Sequence, residues 1–350
     1  MPRVIVGMSG GVDSTVTAYL LRIAGYDVIG VTLRTSIDRN RCCEITSAEK
    51  ACDSIGIPYY VINCVQDFDS MVVKPFINSY LCGHTPNPCI PCNRYIKWGK
   101  MLEAAERFGA EYIATGHYAS VTQMPSGRFT LKQADYAPKD QTYMLYRLTQ
   151  EQLRRTIMPL GKMTKSEVRQ IANEMNLPGA QNADSQEICF VPEGSYADFI
   201  EENTDITLPP KGFFVDENGE KLGIHEGIYK YTIGQRKGLG LALGYPAYVK
   251  SIDSATDSIV ISDNSALYSY TVLCRDLCFM GIEQPKTGEK ITASVKIRYN
   301  HKPQTGTVEI TESDLALITF DEPVRAAAPG QSAVFYDEES RIIGGGIIVK

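Results

Sequence analysis

No run of apolar residues in this sequence approaches the ~20 that a membrane-spanning helix requires, so none is expected. The opening stretch, MPRVIVGMSGG, lacks the charged region, apolar core and small-residue cleavage site of a signal peptide. The expected location is therefore cytoplasmic. Internal repeats and low-complexity tracts are also missing. The pair Cys89 and Cys92 has no second C-x-x-C or histidine pair to complete a zinc site, so a structural zinc is not expected. Positive charge is not in excess either. The net charge is −6, which argues against a general nucleic-acid coat protein but leaves room for local basic patches.

What is present is ordinary for a globular chain: 350 residues, 43% hydrophobic and 22% charged. Ten cysteines at irregular spacing, without an export signal, read as metal, catalytic or buried thiols, not as a disulfide framework. Up to about residue 200, short apolar strands alternate with helical stretches. PRVIVGM, DVIGVTLRT, PYYVINC and EYIATGHYA read as strands; STVTAYLLRIAGY, ITSAEKACDSIGI, PFINSYLCG and the stretch from Pro91 to Phe108 read as helices. This predicts an α/β fold with a parallel sheet covered by helices and a ligand site at the carboxyl ends of the strands. Beyond it, prolines, glycines and short alternating strands predict a small middle domain and a C-terminal β-barrel. The expected boundaries are 1–205, 206–268 and 269–350.

The segment GMSGGVDS, residues 7–14, follows a strand and opens a helix. Glycines allow close backbone approach to an anion, and the helix N-terminus aims amides at it. The lysine of the common nucleoside triphosphate loop is missing, and the dinucleotide pattern is not matched. The string SGGVDS resembles the pyrophosphate loop of the ATP pyrophosphatases. That resemblance implies ATP bound by Gly7, Met8, Ser9, Gly10, Gly11, Val12, Asp13 and Ser14. Asp13 would bind Mg²⁺, orient the loop or cap the helix.

TPNPCIPCN (85–93), ATGHYA (114–119), KDQTYML (139–145), DSQEICF (184–190) and GQRKGLG (234–240) follow in order. Together they resemble the tRNA-specific 2-thiouridylases, over essentially the full chain. The resemblance implies ATP-dependent replacement of the C2 oxygen of the wobble uridine by sulfur in tRNAs for lysine, glutamate and glutamine. It implies Cys92 as nucleophile and Cys189 as carrier of a persulfide, with a transient Cys92–Cys189 disulfide. It implies a sulfur donor, either a cysteine desulfurase or a relay protein. Leu33 and Gly116 would border ATP; Asn87, Pro88, Cys89, His117, Lys139, Asp140, Gln141, Arg298, Tyr299 and Gln331 would contact tRNA. Pro91 would place Cys92 in a first helical turn, where the helix N-terminus lowers a thiol's pKa.

Cys89 departs from the family pattern, which has an aspartate acid/base there. The three thiols Cys89, Cys92 and Cys189 leave a second route open, a [4Fe–4S] cluster with one open iron. Cys42 and Cys43 are adjacent, a poor spacing for one metal. Cys52, Cys64, Cys82, Cys274 and Cys278 read as core residues. Arg154, Arg155, Lys162, Lys165 and Arg169 lie in one predicted helical stretch and offer a phosphate-binding face, with Arg236 and Lys237 adding charge later. Two other classes compete: a small-molecule adenylating ligase, which needs the loop but not Cys92 and Cys189, and a non-enzymatic tRNA-binding protein, which needs no ATP loop.

Overall fold

The computed structural model describes residues 1–36, 42–178, 188–191 and 195–349. Asp184–Glu187 of DSQEICF and the side chains of Cys42 and Cys43 lie outside the described residues, as does most of the loop 181–195.

The first sheet is built from β1 (Arg3–Gly7), β2 (Asp27–Arg34), β3 (Tyr59–Asn63), β4 (Tyr112–Ala114) and β7 (Thr156–Ile157). All pairs are parallel, in the order β3-β2-β1-β4-β7. Val4, Ile5 and Val6 of β1 are fully buried, as a central strand covered on both faces requires. Helix Val12–Ile23 crosses from β1 to β2, packing Val12, Val16, Ala18 and Leu21 inward. Between β4 and β7 the chain leaves the sheet as a hairpin, β5 (Ala119–Gln123) with β6 (Phe129–Gln133). EYIATGHYA is thus not one strand. It ends at Ala114, turns through 115–118 and re-enters as β5.

The second unit is a four-stranded sheet, β10-β11-β8-β9, from β8 (Gly212–Val215), β9 (Lys221–His225), β10 (Tyr248–Asp253) and β11 (Ser258–Ser262). The third is a closed barrel in the order β12-β15-β14-β13-β16-β17. Its strands are β12 (Tyr268–Phe279), β13 (Lys290–Lys296), β14 (Gln304–Glu312), β15 (Leu315–Arg325), β16 (Ser332–Tyr336) and β17 (Ile342–Ile348). Closure leaves no unpaired edge.

The barrel does not stand apart. Val334, Tyr336, Ile342 and Met280 share one buried cluster with Ile5, Trp98, Leu131, Tyr143 and Tyr146 of the N-terminal unit. Thr130 Oγ1 donates to the Ile342 carbonyl at 2.6 Å, and Tyr143 Oη to that of Ser332 at 2.8 Å. The hairpin β5–β6 and the stretch carrying Tyr143 and Tyr146 dock the barrel together.

The stretch 154–169 is not one helix. It contains the end of helix Gln150–Arg154, strand β7, a 3₁₀ turn Pro159–Lys162 and the start of helix Lys165–Glu174. Thr149 and Thr164 each close a capping box, with Gln152 and Glu167, and each starts a separate helix. The five cations therefore share no helix face. Arg155 pairs with Glu106 and donates to the carbonyls of Ala110 and Glu111. Lys165 is turned toward Asp13.

Candidate functional site

The phosphate loop sits at the carboxyl end of β1. Gly10 takes φ +76°, a value natural to glycine. Ser14 Oγ accepts from the Ser9 amide at 3.2 Å and donates to the Gly11 carbonyl at 3.0 Å. Met8 is pinned below, its amide on Val31 and its carbonyl receiving Thr32 Oγ1 at 2.7 Å. These bonds fix the course of the loop from within the chain.

Asp13 makes no cap to its own helix. Lys165 Nζ reaches both its oxygens at 2.8 Å, and Tyr118 Oη donates to Oδ1 at 2.9 Å. A Mg²⁺ ion on this carboxylate would have to displace an ammonium, so Asp13 does not fit as a ready metal ligand. Of its expected roles, orienting the loop is the one its contacts serve. Gly116 lies against it: a Cβ there would stand 2.8 Å from the Asp13 backbone carbon, so only glycine fits.

His117 follows. Its Nδ1 lies 2.9 Å from Thr115 Oγ1, and its ring is 5.3 Å from that of Trp98. Burial, then the nearby Lys97 charge, push its pKa well below the usual histidine value, so the ring is neutral.

Trp98 ends the cysteine segment. Asn87 Oδ1 accepts from the Cys89 amide at 3.1 Å and starts a helical turn at Cys89–Pro91, two residues earlier than the sequence predicts. A π-helical segment, Cys92–Trp98, follows, then helix Gly99–Phe108. Widened turns of this kind recur at functional sites.

Cys92 is 9% exposed, in a cluster with Cys64, Phe68, Val72 and Ile96, onto which Leu33 and Phe190 pack. Here the expected pKa is corrected. The Cys92 thiol is pushed up to about 12, first by burial, with Lys97 pulling it down and Cys189, Cys89 and Cys64 adding to the rise. The helix-end effect, about 0.3–1 kcal/mol, loses to desolvation. Its amide is moreover already bonded to the Pro88 carbonyl at 3.2 Å. Cys89 is half-buried and raised for the same reasons, burial first.

Cys189 is exposed. Its neighbours Ile188 and Phe190 pack into a cluster with Phe76, Tyr80 and Ile200. Phe190, the residue after Cys189, also packs onto the cluster that contains Cys92, so the fold brings the Cys189 segment against the Cys92 segment. Among the described residues, no three His, Cys, Asp or Glu side chains are arranged to hold a metal ion.

The remaining candidates line the seam between the N-terminal unit and the barrel. Gln331 Nε2 donates to the Thr85 carbonyl at 2.8 Å, and the Thr85 amide donates to Pro329 at 2.8 Å. Tyr299 stands 6.3 Å from Tyr143, and the Lys296 ammonium lies over both rings. Arg298 donates to the Arg325 carbonyl at 3.2 Å. Pro88 is buried and Asn87 half-buried.

In the 139–141 loop, Lys139 is half-buried and Asp140 is 6% exposed. The Asp140 carboxylate accepts from Thr142 Oγ1 at 2.8 Å and from the Ala134 amide at 3.1 Å. Burial raises its pKa against those bonds. Its hydrogen bonds hold the loop from inside. Gln141 is bonded to Tyr118 in both directions. Arg236 lies in the middle unit, beside a depression that runs from Gly238 to Ala247.

Sequence reasoning missed Tyr118, Lys97 and the Asp13 partnership of Lys165. Lys97 carried a signal in principle: a π turn brings positions five apart toward one side, but nothing in CNRYIKW marks the turn as π.

A glycine-rich loop between a central strand and a helix, a parallel sheet and two following β units define a class of HUP-domain protein. A family model described as a tRNA methyl transferase HUP domain matches residues 2–193. Models described as a tRNA methyl transferase PRC-barrel domain and an aminomethyltransferase beta-barrel domain match 197–263 and 270–348. A tRNA-specific 2-thiouridylase MnmA of Lachnoclostridium phytofermentans is 47% identical over 362 residues, covering 100% of each chain. One of Acetivibrio thermocellus is 46% identical over 358 residues, covering 99% of each. The chain belongs to the tRNA-specific 2-thiouridylase MnmA family. The solved U34-tRNA thiolase NcsA from Methanococcus maripaludis, with its [4Fe-4S] cluster, is 20% identical at a TM-score of 0.35, covering 58% of this chain and 64% of that one. A likeness that small brings neither activity nor cluster to this chain.

Proposed function

We propose that this protein is a tRNA-uridine 2-sulfurtransferase that consumes ATP and transfers sulfur from a cysteine persulfide. The observation that carries the reading is the packing of Phe190, next to Cys189, on the Cys92 cluster, whose segment ends in Trp98 beside the 115–118 loop, which itself abuts Asp13.

A uracil carbonyl oxygen is a poor leaving group. The phosphate loop, Gly7 through Ser14, holds ATP so that this oxygen attacks the α-phosphorus and pyrophosphate departs. Leu33 and Gly116 border the nucleotide. Mg²⁺, when bound, screens the phosphate charges; Asp13 orients the loop. The target uridine is turned out of its stack to lie near Asn87, Pro88 and Cys89, with the 139–141 loop, His117, Arg298, Tyr299 and Gln331 around the RNA.

Cys189, exposed, takes sulfur from a cysteine desulfurase or relay protein and becomes a persulfide. The terminal sulfur attacks C2 and expels AMP. The Cys92 thiolate then attacks Cys189 Sγ. The bond from that Sγ to the transferred sulfur breaks, thiouracil leaves with the electron pair, and a Cys92–Cys189 disulfide remains. An external dithiol returns both thiols. Each turnover thus oxidises two thiols as one persulfide sulfur is reduced. Burial keeps Cys92 protonated at rest, which protects it until the site fills. The exposure of Cys189, open to a sulfur donor, supports this route, and Cys89 serves as helper.

The test is thiolation of unmodified lysine tRNA by iron-free protein with ATP, Mg²⁺, cysteine and a desulfurase, read as retardation on a mercury gel. Thiolation should appear, vanish in Cys92→Ser and Cys189→Ser, and persist in part in Cys89→Ser. Product formed by Cys92→Ser, or only after cluster reconstitution, would overturn the persulfide route. No product under either condition would restore the ligase reading.

A further inference from the structure

Two loops carry the two substrates of the proposed reaction, and one buried phenol joins them. Tyr118 is 2% exposed. Its backbone is bolted to the 139–141 loop: the Tyr118 amide donates to Gln141 Oε1 at 2.9 Å, and the Gln141 amide donates to the Tyr118 carbonyl at 3.0 Å. Its side chain reaches the other way, Oη donating to Asp13 Oδ1 at 2.9 Å. Asp13 lies inside the phosphate loop, between Gly11 and Ser14. The connection has little slack at either end. Gly116 presses on the Asp13 backbone, and Lys165 holds both oxygens of the same carboxylate. Beyond Gln141, Thr142 Oγ1 bonds Asp140 and lies 3.1 Å from Tyr336 Oη of the barrel. The loop is thus rooted in both the hairpin and the barrel.

We propose that Tyr118 is a positioning residue that ties RNA contact at the 139–141 loop to the set of the phosphate loop. With RNA seated, Gln141 and Tyr118 hold Asp13 in the arrangement that aligns the α-phosphorus. Without RNA the same contacts form but are not clamped from the 139–141 side, and ATP is bound but not cleaved. The inference rests on the tRNA-thiolating reading above. It assigns a reason for a hydroxyl at position 118 where a phenylalanine would pack equally well. A shift of Asp13 by a fraction of an ångström suffices, because in-line attack tolerates little misplacement.

The experiment measures pyrophosphate release at saturating ATP, with and without unmodified tRNA, in wild type, Tyr118→Phe, Gln141→Ala and the double variant. ATP affinity, tRNA affinity and melting temperature are measured beside it. Release by the wild type should depend on tRNA. Tyr118→Phe should lower tRNA-stimulated turnover by about tenfold, the loss expected for one hydrogen bond to a charged group, with ATP and tRNA affinities unchanged and the protein still fully folded at the assay temperature despite a modest fall in melting temperature. At saturating tRNA the two substitutions should be non-additive, because they cut one connection at two points. Full stimulation in Tyr118→Phe, or strict additivity, overturns the proposal. So does a fall in melting temperature and ATP affinity that accounts for the whole loss. A wild type that releases pyrophosphate regardless of tRNA also overturns it, while thiolation on the mercury gel decides the underlying reading separately.

Discussion

Cys92 is the residue at which local and tertiary effects compete most openly. A thiol at a helix start is expected to ionise easily, yet burial among Cys64, Phe68, Val72 and Ile96 pushes it up to about 12. At pH 8 only about one molecule in 10⁴ would carry the thiolate, against about a quarter for an ordinary thiol. Iodoacetamide labelling followed by peptide mapping should therefore modify the exposed Cys189 well before Cys92. Lys97 is the one cation among the groups that shift Cys92, opposed by Cys189, Cys89 and Cys64. Lys97→Met should raise the Cys92 pKa further, slow its labelling at any given pH below that pKa and move its rate profile to higher pH; Lys97→Arg should restore most of it. Equal labelling of Cys92 and Cys189, or a profile indifferent to Lys97, would contradict this account. The residue identity of Cys92 was plain in the motif. Its protonation state was not, because a pKa depends on neighbours such as Cys64 and Cys189 that are remote in sequence.

At the scale of elements, capping chemistry was local and its consequences were not. Thr164 and Glu167 close a box that begins helix Lys165–Glu174 and so aims Lys165 at Asp13. Thr164→Ala should cost about 1 kcal/mol and loosen the phosphate loop, seen as a lower melting temperature and weaker ATP binding together. A stability loss with ATP binding intact would mean that the helix start does not position Lys165. In the middle unit, His225 is fully buried in β9. The Gly227 amide donates to its Nδ1 at 3.1 Å, and Nε2 lies 3.0 Å from the Asp257 carbonyl. The ring is thus neutral, with the proton on Nε2, and burial, the largest effect, lowers its pKa. A depressed histidine binds its proton more readily when unfolded. Its contribution to stability is complete above the ordinary histidine value and is lost as pH falls through that value toward the folded one. Thermal melts between pH 7.5 and 5 should show this loss, and His225→Gln should remove part of the slope. His117 and His301, also depressed, should retain the rest. An unchanged slope in the variant would refute the assignment.

The N-terminal unit and the barrel are held by a shared core, while the middle unit packs its own around Phe214, Val249 and Ile259. Tyr143 and Tyr146 pack into the barrel and bond Ser332, and Gly345 passes so close to Tyr146 that a Cβ would stand 2.8 Å from its ring. A chain cut at residue 268 would bare this apolar surface. It should fail to give a cooperative melt, and a stable, soluble fragment would count against a shared core. The barrel also places the cysteine loop. Gly330 takes φ +91°, and a Cβ there would meet the Thr85 amide at 3.0 Å. Gly330→Ala should destabilise by about 1–2 kcal/mol and displace Thr85–Pro88. Thiolation should fall more than stability does, measured by mercury gel against melting temperature.

The sequence by itself determined β1 to β3 and the helices between them, the glycine- and serine-rich loop after β1 and the β-rich ending. These follow from short-range chemistry: apolar runs, turn glycines and hydroxyls beside helix starts. It also carried the identities of Cys92 and Cys189 in their motifs. Only the tertiary structure decided that 154–169 breaks into separate elements, that Lys165 belongs to Asp13 and that Tyr118 joins the 139–141 loop to the phosphate loop. Those outcomes depend on which side chains meet across the sheet and the barrel seam. Such meetings are set by long-range packing and desolvation, for which a linear string holds no distance.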